Sequence, residues 1–459
     1  MRIYISGAHK SSGKTTVTLG ICAALVERGF VVQPFKKGPD YIDPIWLAQA
    51  SSRSCFNLDF NTSHPAELLG TFAMRRGADI AIVEGNKGLH DGLALDGSDS
   101  NAAMAKLLKT PVVLVIDTRG ITRSVAPLLL GYERFDPDVT VAVVILNQVG
   151  GPRHESKLRA AVEHYTDLAV VGAMHRDEAC NIDERHLGLM PANEHMSAAS
   201  IIGRIRERVK QQVDLERFLA LAAADAASDF HLNSQASDAI DCDSGDRLRI
   251  GYARDAAFGF YYADDLNRFR QCGAELIPLD LLRDTRLPDL DGLFIGGGFP
   301  ETHMGALEAN HAMRASVRAA IEAGLPTYAE CGGLMYLTRR IEWRGARADM
   351  VGVLPVDTIM ADRPQGRGYV ELEETEDAPW PDRQPGRIIK AHEFHYSTLS
   401  ELPLGSKFAY RVRRGFGLQG QYDGIVYMNV LANYAHLRDQ AQHHWVERFL
   451  AFVRDCRST

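Results

Sequence analysis

Gly13, Lys14, Thr15 and Thr16 stand in order at the end of Ser6-Gly7-Ala8-His9-Lys10-Ser11-Ser12. A glycine, a lysine and a hydroxyl in that sequence serve phosphate chemistry. Backbone N–H groups at a helix start face the phosphates, the ammonium neutralises them, and the hydroxyl reaches a phosphate-bound Mg2+. The first glycine usual in such a loop is replaced by Ala8, with Gly7 one residue earlier. A second chemistry lies in Tyr328-Ala329-Glu330-Cys331-Gly332-Gly333-Leu334. Cys331 falls between an apolar strand and a helix-like stretch, where a nucleophile stands on a tight turn with its sulfur exposed and small neighbours relieve the crowding. A helix start behind the sulfur favours the thiolate. A buried structural cysteine is the competing reading. It suits the other six (Cys22, Cys55, Cys180, Cys242, Cys272 and Cys456), which lack such a setting.

Other residues fit around each centre. Ile80-Ala81-Ile82-Val83-Glu84 ends an apolar run in an acid, and Asp40 and Asp43 follow the second apolar run. Aspartate in such a loop also serves turn chemistry alone. With Thr15, these acids suit an octahedral Mg2+ that keeps much of its water. Asn147 ends the last strand-like run of this half; it either reads a purine edge or caps a loop. Near the thiol, Gly296-Gly297-Gly298 let backbone N–H groups approach a tetrahedral oxyanion, or else form a flexible loop. The base comes from His303, His392, His395 or His436. His436 fits best, because it follows the apolar run 425–431. His392 and His395 have the look of a metal pair, but no third ligand is near in sequence, so a core or substrate-facing role is the stronger reading.

Such groups need strands to hold them. Runs at Ile3–Ser6, Phe30–Pro34, Ile80–Glu84, Val112–Asp117 and Val141–Leu146 alternate with helical patterns such as Thr15–Arg28. Short apolar runs between helices predict an α/β fold with a parallel sheet covered on both faces. The stretch from about Ala222 to Asp246 is small and polar and reads as a linker. The β/α rhythm resumes at Arg249–Ala253, Asp291–Ile295 and Leu325–Ala329. The expected organisation is therefore a phosphate-loop domain at 1–222, a linker at 223–246 and a second α/β domain at 247–459. A chain of 459 residues exceeds what one core usually serves. Formal charge is −8, from 51 Lys and Arg against 59 Asp and Glu, with no long basic run, which argues against nucleic-acid binding. Seven widely spaced cysteines without a Cys-x-x-Cys pair argue against a disulfide framework or zinc knuckle. No basic–apolar leader and no stretch long enough for a bilayer is seen, so a cytoplasmic enzyme without membrane partners is expected.

Nearly the whole chain resembles the cobyrinic or hydrogenobyrinic acid a,c-diamide synthases, glutamine-dependent amidases of tetrapyrrole side chains. The most specific stretch is Pro34-Phe35-Lys36-Lys37-Gly38-Pro39-Asp40-Tyr41-Ile42-Asp43-Pro44. Glu84-Gly85, Gly88–Gly92, Ala253–Phe258, Arg185–Leu189, His392–Ser397 and the two glycine-rich segments also fit. The resemblance implies a dethiobiotin-synthetase-like P-loop domain joined to a class I glutamine amidotransferase domain. It implies ATP and Mg2+ as cofactors and L-glutamine and a tetrapyrrole polycarboxylate as substrates, and leaves room for a homodimer. Cys331 would take the glutamine amide as a thioester, His436 would shuttle protons, and the Gly297 and Gly298 amides would hold the oxyanion. Gly13, Lys14, Thr15, Thr16 and Asn147 would bind ATP; Thr15, Asp40 and Glu84 the metal; Tyr41, Asp43 and Asp91 would line the synthetase cleft. Two departures stand out. Many amidotransferases of this fold carry Glu two residues after the histidine; Arg438 is there instead, so His436 must be oriented in another way. Lys37, Asn86 and Lys87 stand where small or apolar residues are expected in corrin enzymes. They raise sirohaem or a sirohydrochlorin-type ring as an alternative substrate. A P-loop ATPase with a non-catalytic amidotransferase domain is the remaining alternative, disfavoured by Cys331 and His436.

Overall fold

The computed structural model describes residues 1–74, 77–185, 188–195, 197–224, 247–418 and 420–458. The chain divides into two compact units, Met1–Asp238 and Ala239–Thr459. Of the expected linker, 225–246 lies outside the described residues, and the two residues before it finish the helix Leu215–Ala224. His186 and Leu187 of the resemblance are also outside.

The first unit is built on seven strands: β1 (Arg2–Gly7), β2 (Val32–Lys37), β3 (Phe56–Leu58), β4 (Ile80–Gly88), β5 (Val112–Asp117), β6 (Val141–Val149) and β7 (Ala169–His175). They lie in the order β3-β2-β4-β1-β5-β6-β7, every neighbouring pair parallel. Parallel neighbours need helical crossovers on the faces, so the strands are apolar on both sides. All six residues of β1 are buried. Two strands escape the sequence reading. β3 is only three residues long, and β7 is interrupted by Gly172. β2 also begins later and runs further than Phe30–Pro34. Gly29, at φ 87°, ends the helix Lys14–Glu27, and Phe30 N–H turns back to the Leu25 carbonyl. The strand then continues through Lys36 and Lys37, both buried, where the charges mask a strand end. Ligands in open α/β sheets bind beyond the carboxyl ends of the strands. Here Gly7 ends β1, Lys36 and Asn147 lie near the ends of β2 and β6, and Glu84 stands midway along β4.

The second unit holds a nine-stranded mixed sheet. Its strands are β8 (Arg249–Ala253), β9 (Glu275–Leu279), β10 (Gly292–Ile295), β11 (Thr327–Glu330), β12 (Gly366–Glu374), β13 (Ile388–His395), β14 (Lys407–Arg414), β15 (Tyr422–Tyr427) and β16 (Val430–Asn433). The order is β9-β8-β10-β11-β16-β15-β14-β12-β13. From β9 to β16 the pairing is parallel, as the β/α rhythm predicts; from β16 to β13 it is antiparallel. The antiparallel half was not expected. In β13 buried residues alternate with exposed or partly exposed ones, so that strand offers no continuous apolar run. Successive residues face opposite cores. Ile295 and Ala329 join Leu334 and Tyr336 on one face, while Phe294 and Tyr328 join Trp445 on the other. Phe294 stacks on Tyr328 with centroids 5.3 Å apart, and Trp445 lies 4.8 Å from Tyr328, which fixes the base of the nucleophile strand. Among the described residues no helix is long and apolar enough to cross a membrane.

Candidate functional site

In the first unit the loop between β1 and the helix Lys14–Glu27 is held by its own side chains. Ser12 Oγ accepts from His9 N–H at 3.1 Å and donates to the His9 carbonyl at 2.7 Å. Gly13 adopts φ 84°, and a Cβ there would lie 1.9 Å from Asn147 Nδ2. Asn147 donates that amide to the Ser12 carbonyl at 2.9 Å. The Asn147 side chain thus caps the phosphate loop, one of its two sequence readings. Gly7, the displaced glycine, lets the Lys14 stem fold back over the strand end, since a Cβ would sit 3.1 Å from Lys14 Cγ and Cδ. Thr16 lies in the first helical turn, partly exposed.

The Thr15 hydroxyl lies 2.9 Å from Glu84 Oε1 and 3.3 Å from Asp43 Oδ2. Between these acids stands Lys36, whose role the sequence reading missed. Its Nζ is 2.6 Å from Asp43 Oδ2, 2.6 Å from Glu84 Oε1 and 3.9 Å from Asp40 Oδ2. A charged residue inside an otherwise buried strand was the available signal. Burial works against the Lys36 proton, but Asp43, Glu84 and Asp40 outweigh it and hold the ammonium well above its ordinary range. Burial, then the charge of Asp43, pushes Asp40 up to about 7. Burial also raises Glu84, against the pull of Lys36. For Asp43 burial is overcome by the charge and hydrogen bond of Lys36, so its carboxyl is lowered. Burial, then repulsion from Lys36, brings Lys14 down to about 8. A bound polyphosphate reverses that shift by pairing with the ammonium.

Asp40 also performs turn chemistry, since its Oδ1 accepts from Ile42 N–H at 2.9 Å and Asp43 N–H at 3.2 Å. Asp43, expected along the substrate cleft, stands in the Thr15 cluster. Tyr41 is buried just before the helix Ile42–Ser51. Asp91 is exposed and accepts from Gly88 N–H at 2.9 Å. Carboxylate and hydroxyl oxygens of this kind fit magnesium, and Glu84 Oε2 is buried without a hydrogen-bond partner. The three acids converge on Lys36, and no group of three or more His, Cys, Asp or Glu among the described residues forms a self-contained metal cage. Lys37 points elsewhere: buried, it donates to the Asp99 carbonyl at 2.5 Å and lies 3.5 Å from Asn86 Oδ1. Lys87 is exposed.

In the second unit β11 ends in Glu330, and Cys331 follows at φ 48° and ψ −102° before the helix Gly332–Leu337. A positive φ on a non-glycine residue is strained and persists only where its surroundings enforce it. Packing does so here. A Cβ on Gly333 would lie 2.1 Å from the Ile295 carbonyl, and one on Gly298 2.0 Å from the Ala257 carbonyl. Gly297 and Gly298 pair antiparallel with Phe258–Phe260, and a Cβ on Gly297 would meet His436 Cε1 at 2.6 Å. The glycine strand and the histidine therefore converge. Cys331 Sγ reaches toward the Phe394 carbonyl at 3.9 Å.

His436 is buried, with Nδ1 3.3 Å from Glu330 Oε2. Burial would lower its affinity for a proton, but hydrogen bonds to Cys331 and Glu330 prevail and raise it to about 10. His392 pairs with His436 through the backbone and is driven down to about 3 by burial and the charge of His436. His395 stacks on Tyr434 at 3.9 Å and bonds the Ser397 carbonyl through Nδ1, a core position. His303 ends the 3-10 turn Pro300–His303 after the glycine strand. Arg438 turns to Asp264 Oδ2 at 3.1 Å and lies over the Tyr262 ring.

His436 is delivered by a turn that Asp423 ties down. The buried Asp423 carboxylate accepts from Gly424, Tyr434 and Ala435 N–H at 2.8, 3.0 and 2.9 Å. Asp423→Ala leaves buried donors unpaired and is expected to lower the unfolding free energy of this unit by about 2–4 kcal/mol. Urea denaturation of the two proteins measures the difference.

Residues 3–189 match the CobQ/CobB/MinD/ParA nucleotide binding domain, and 249–442 the CobB/CobQ-like glutamine amidotransferase domain. A protein of Magnetococcus marinus named cobyrinate a,c-diamide synthase is 46% identical over 99% of this chain and 97% of its own. One from Methanosarcina acetivorans with the same name is 43% identical over 96% and 93%. One from Archaeoglobus fulgidus is 39% identical over 98% and 96%. Among solved structures, PurLQS from Thermotoga maritima covers 46% of this chain and 98% of its own, at 15% identity and a TM-score of 0.36.

Proposed function

The chain belongs to the cobyrinate a,c-diamide synthase family, and from that premise we propose that it amidates the a- and c-acetate carboxylates of a cobyrinate or hydrogenobyrinate ring, using ATP and glutamine. It is a glutamine-hydrolysing amido-ligase. The observation that carries the assignment of residues is the presence, in one chain, of a phosphate loop facing a buried acid cluster and of a strained cysteine beside a paired histidine.

In the second unit the Cys331 thiol gives its proton to His436, and the sulfur attacks the glutamine amide carbon. The tetrahedral oxyanion is held by the Gly297 and Gly298 amides. The C–N bond breaks as His436 returns the proton to the leaving nitrogen, so ammonia departs and a thioester remains. Water then cleaves the thioester to glutamate and restores the thiol.

In the first unit Gly13, Lys14, Thr15 and Thr16 bind the nucleotide phosphates. Thr15, Asp40 and Glu84 would hold Mg2+, with Asp43 beside them; bound there, the ion would supply charge neutralisation at the transferred phosphoryl group. A ring carboxylate oxygen attacks the γ-phosphorus and ADP leaves, giving an acyl phosphate. Ammonia attacks the acyl carbon and phosphate departs, leaving the amide. Both activations are needed, because a carboxylate is a poor acyl donor and free ammonia is largely protonated at neutral pH. Tyr41, Asp43 and Asp91 are the proposed contacts to the ring. A cytoplasmic setting completes the proposal, where a free thiol nucleophile stays reduced.

The sirohydrochlorin-type alternative rested on Lys37, Asn86 and Lys87. Lys37 is directed to Asn86 and a backbone carbonyl, so its charge gives that substrate no specific support. The test is conversion of corrin and sirohydrochlorin carboxylates with Mg-ATP and glutamine, read by mass spectrometry. Two acid-to-amide shifts on the corrin alone are expected. Product from the sirohydrochlorin-type ring alone overturns the substrate, and amide formation without ATP consumption overturns the mechanism.

A further inference from the structure

Catalysis by a cysteine–histidine pair needs the imidazole held in one orientation, with one nitrogen on the thiol and the other fixed. Arg438, two residues beyond His436, is engaged with Asp264 and cannot supply that hold. The acid arrives from the opposite side. Glu330, the residue before the nucleophile, is buried, and its two oxygens are differently occupied. Oε1 accepts from the Tyr328 hydroxyl at 2.5 Å and from Leu437 N–H at 2.9 Å. Oε2 is left toward His436 Nδ1 at 3.3 Å. We propose that Glu330 is the positioning acid of the glutaminase centre, holding the His436 Nδ1–H so that Nε2 is presented to Cys331.

The arrangement explains why one short strand can replace a separate third residue. Cys331 N–H bonds the Asn433 carbonyl, and β11 pairs with β16 in the register Glu330↔Asn433. The acid and the nucleophile thus share one strand, while the histidine leaves the end of its neighbour. Tyr328 is two residues back along β11; its ring is packed against Phe294 and Trp445, and its hydroxyl clamps Oε1. Cys331 and Glu330 face His436, and His392 on the adjoining strand is held neutral.

The inference rests on reading Cys331 as a glutaminase nucleophile, and its test separates the two. Wild type that releases no glutamate from glutamine would sink the glutaminase reading itself. Given that activity, Glu330→Gln is the deciding variant. Gln keeps the size and an oxygen for Tyr328 and Leu437, but sets an amide against the Nδ1–H. The expected result is a fall of about 10²-fold or more in kcat for glutamine hydrolysis, with KM within about threefold, the size typical of general acid–base loss. Amidation supported by ammonium salt should stay unchanged. The alkaline limb of the hydrolysis profile reports the His436 proton, which lies at about 10 in the intact pair. Without the carboxylate the imidazolium is less favoured, so the limb moves to lower pH. An unchanged kcat with an unmoved limb overturns the proposal; so does a raised KM with kcat and the limb preserved. Should the Gln variant lose its cooperative melting transition, Tyr328→Phe decides. Freeing Oε1 from its clamp is expected to lower kcat severalfold at constant KM, and an unaltered kcat there overturns the proposal.

Discussion

Cys331→Ala is expected to abolish amide formation from glutamine, by about 10⁴-fold or more, while amidation with ammonium salt proceeds at the wild-type rate. The size follows from the chemistry, because no thioester forms without the sulfur and removal of a nucleophile collapses the centre as a unit. Four other described cysteines are buried, and the remaining one, Cys456, lies in the C-terminal helix Trp445–Arg457. None follows a strand into a glycine pair as Cys331 does. The substitution retains a Cβ at φ 48°, so the strained turn and its glycine neighbours are left as they are. Glutamate release and amide formation are measured side by side, with each nitrogen source. Glutamate release at an undiminished rate would remove Cys331 from the mechanism. Loss of the ammonium-supported reaction as well would show that the two chemistries are not separable.

The second large effect is expected at Lys36. Lys36→Met should reduce amidation at least about 10³-fold with both nitrogen sources, and leave basal glutamine hydrolysis intact. Three acids, Asp40, Asp43 and Glu84, share this one ammonium in a buried site. Breaking a buried ion pair from one side costs about 3–5 kcal/mol, because the remaining charge has no compensation. The cluster answers by binding protons, and a protonated acid no longer serves a magnesium ion. The sign of the pH effect follows. Lys36 lowers the pKa of each of the three acids. Its removal raises them, so the residual activity of the variant should climb with pH above neutrality more steeply than that of wild type. Initial rates with ammonium between neutral and mildly alkaline pH read this directly, and thermal melting reports the cost to the fold. Residual activity that is flat with pH would mean that Lys36 acts on the phosphates alone.

Legibility differed by residue for physical reasons. Lys14, Thr15 and Cys331 are signalled by neighbours in the chain, since a loop at a helix start and a tight turn after a strand both need glycines at fixed offsets. Glu84 could be read from an apolar run that ends in an acid. Lys36 could not be placed from its flanks, although its stretch carried the family resemblance. Its partner is across the sheet, and the register of β2 on β4 sets Lys36 opposite Glu84. Asp43 stands beside Thr15 because the turn after β2 curls back over the strand ends, a neighbour that the local sequence did not signal. Asn147 had two open readings, and the close approach of Gly13 favours the loop cap.

The sequence by itself determined the two α/β units, the parallel β/α alternation of the first and of the parallel half of the second, the phosphate loop and the nucleophile turn. Each depends on hydrophobic period and on backbone conformations that particular residues permit, and both are written locally. Only the tertiary structure decided which acid holds His436 and which cation holds the acids. Glu330 and His436 are 106 residues apart, and Lys36 and Glu84 are 48. Such pairs form when sheet register and core packing bring distant strand ends together, and no local pattern records that distance.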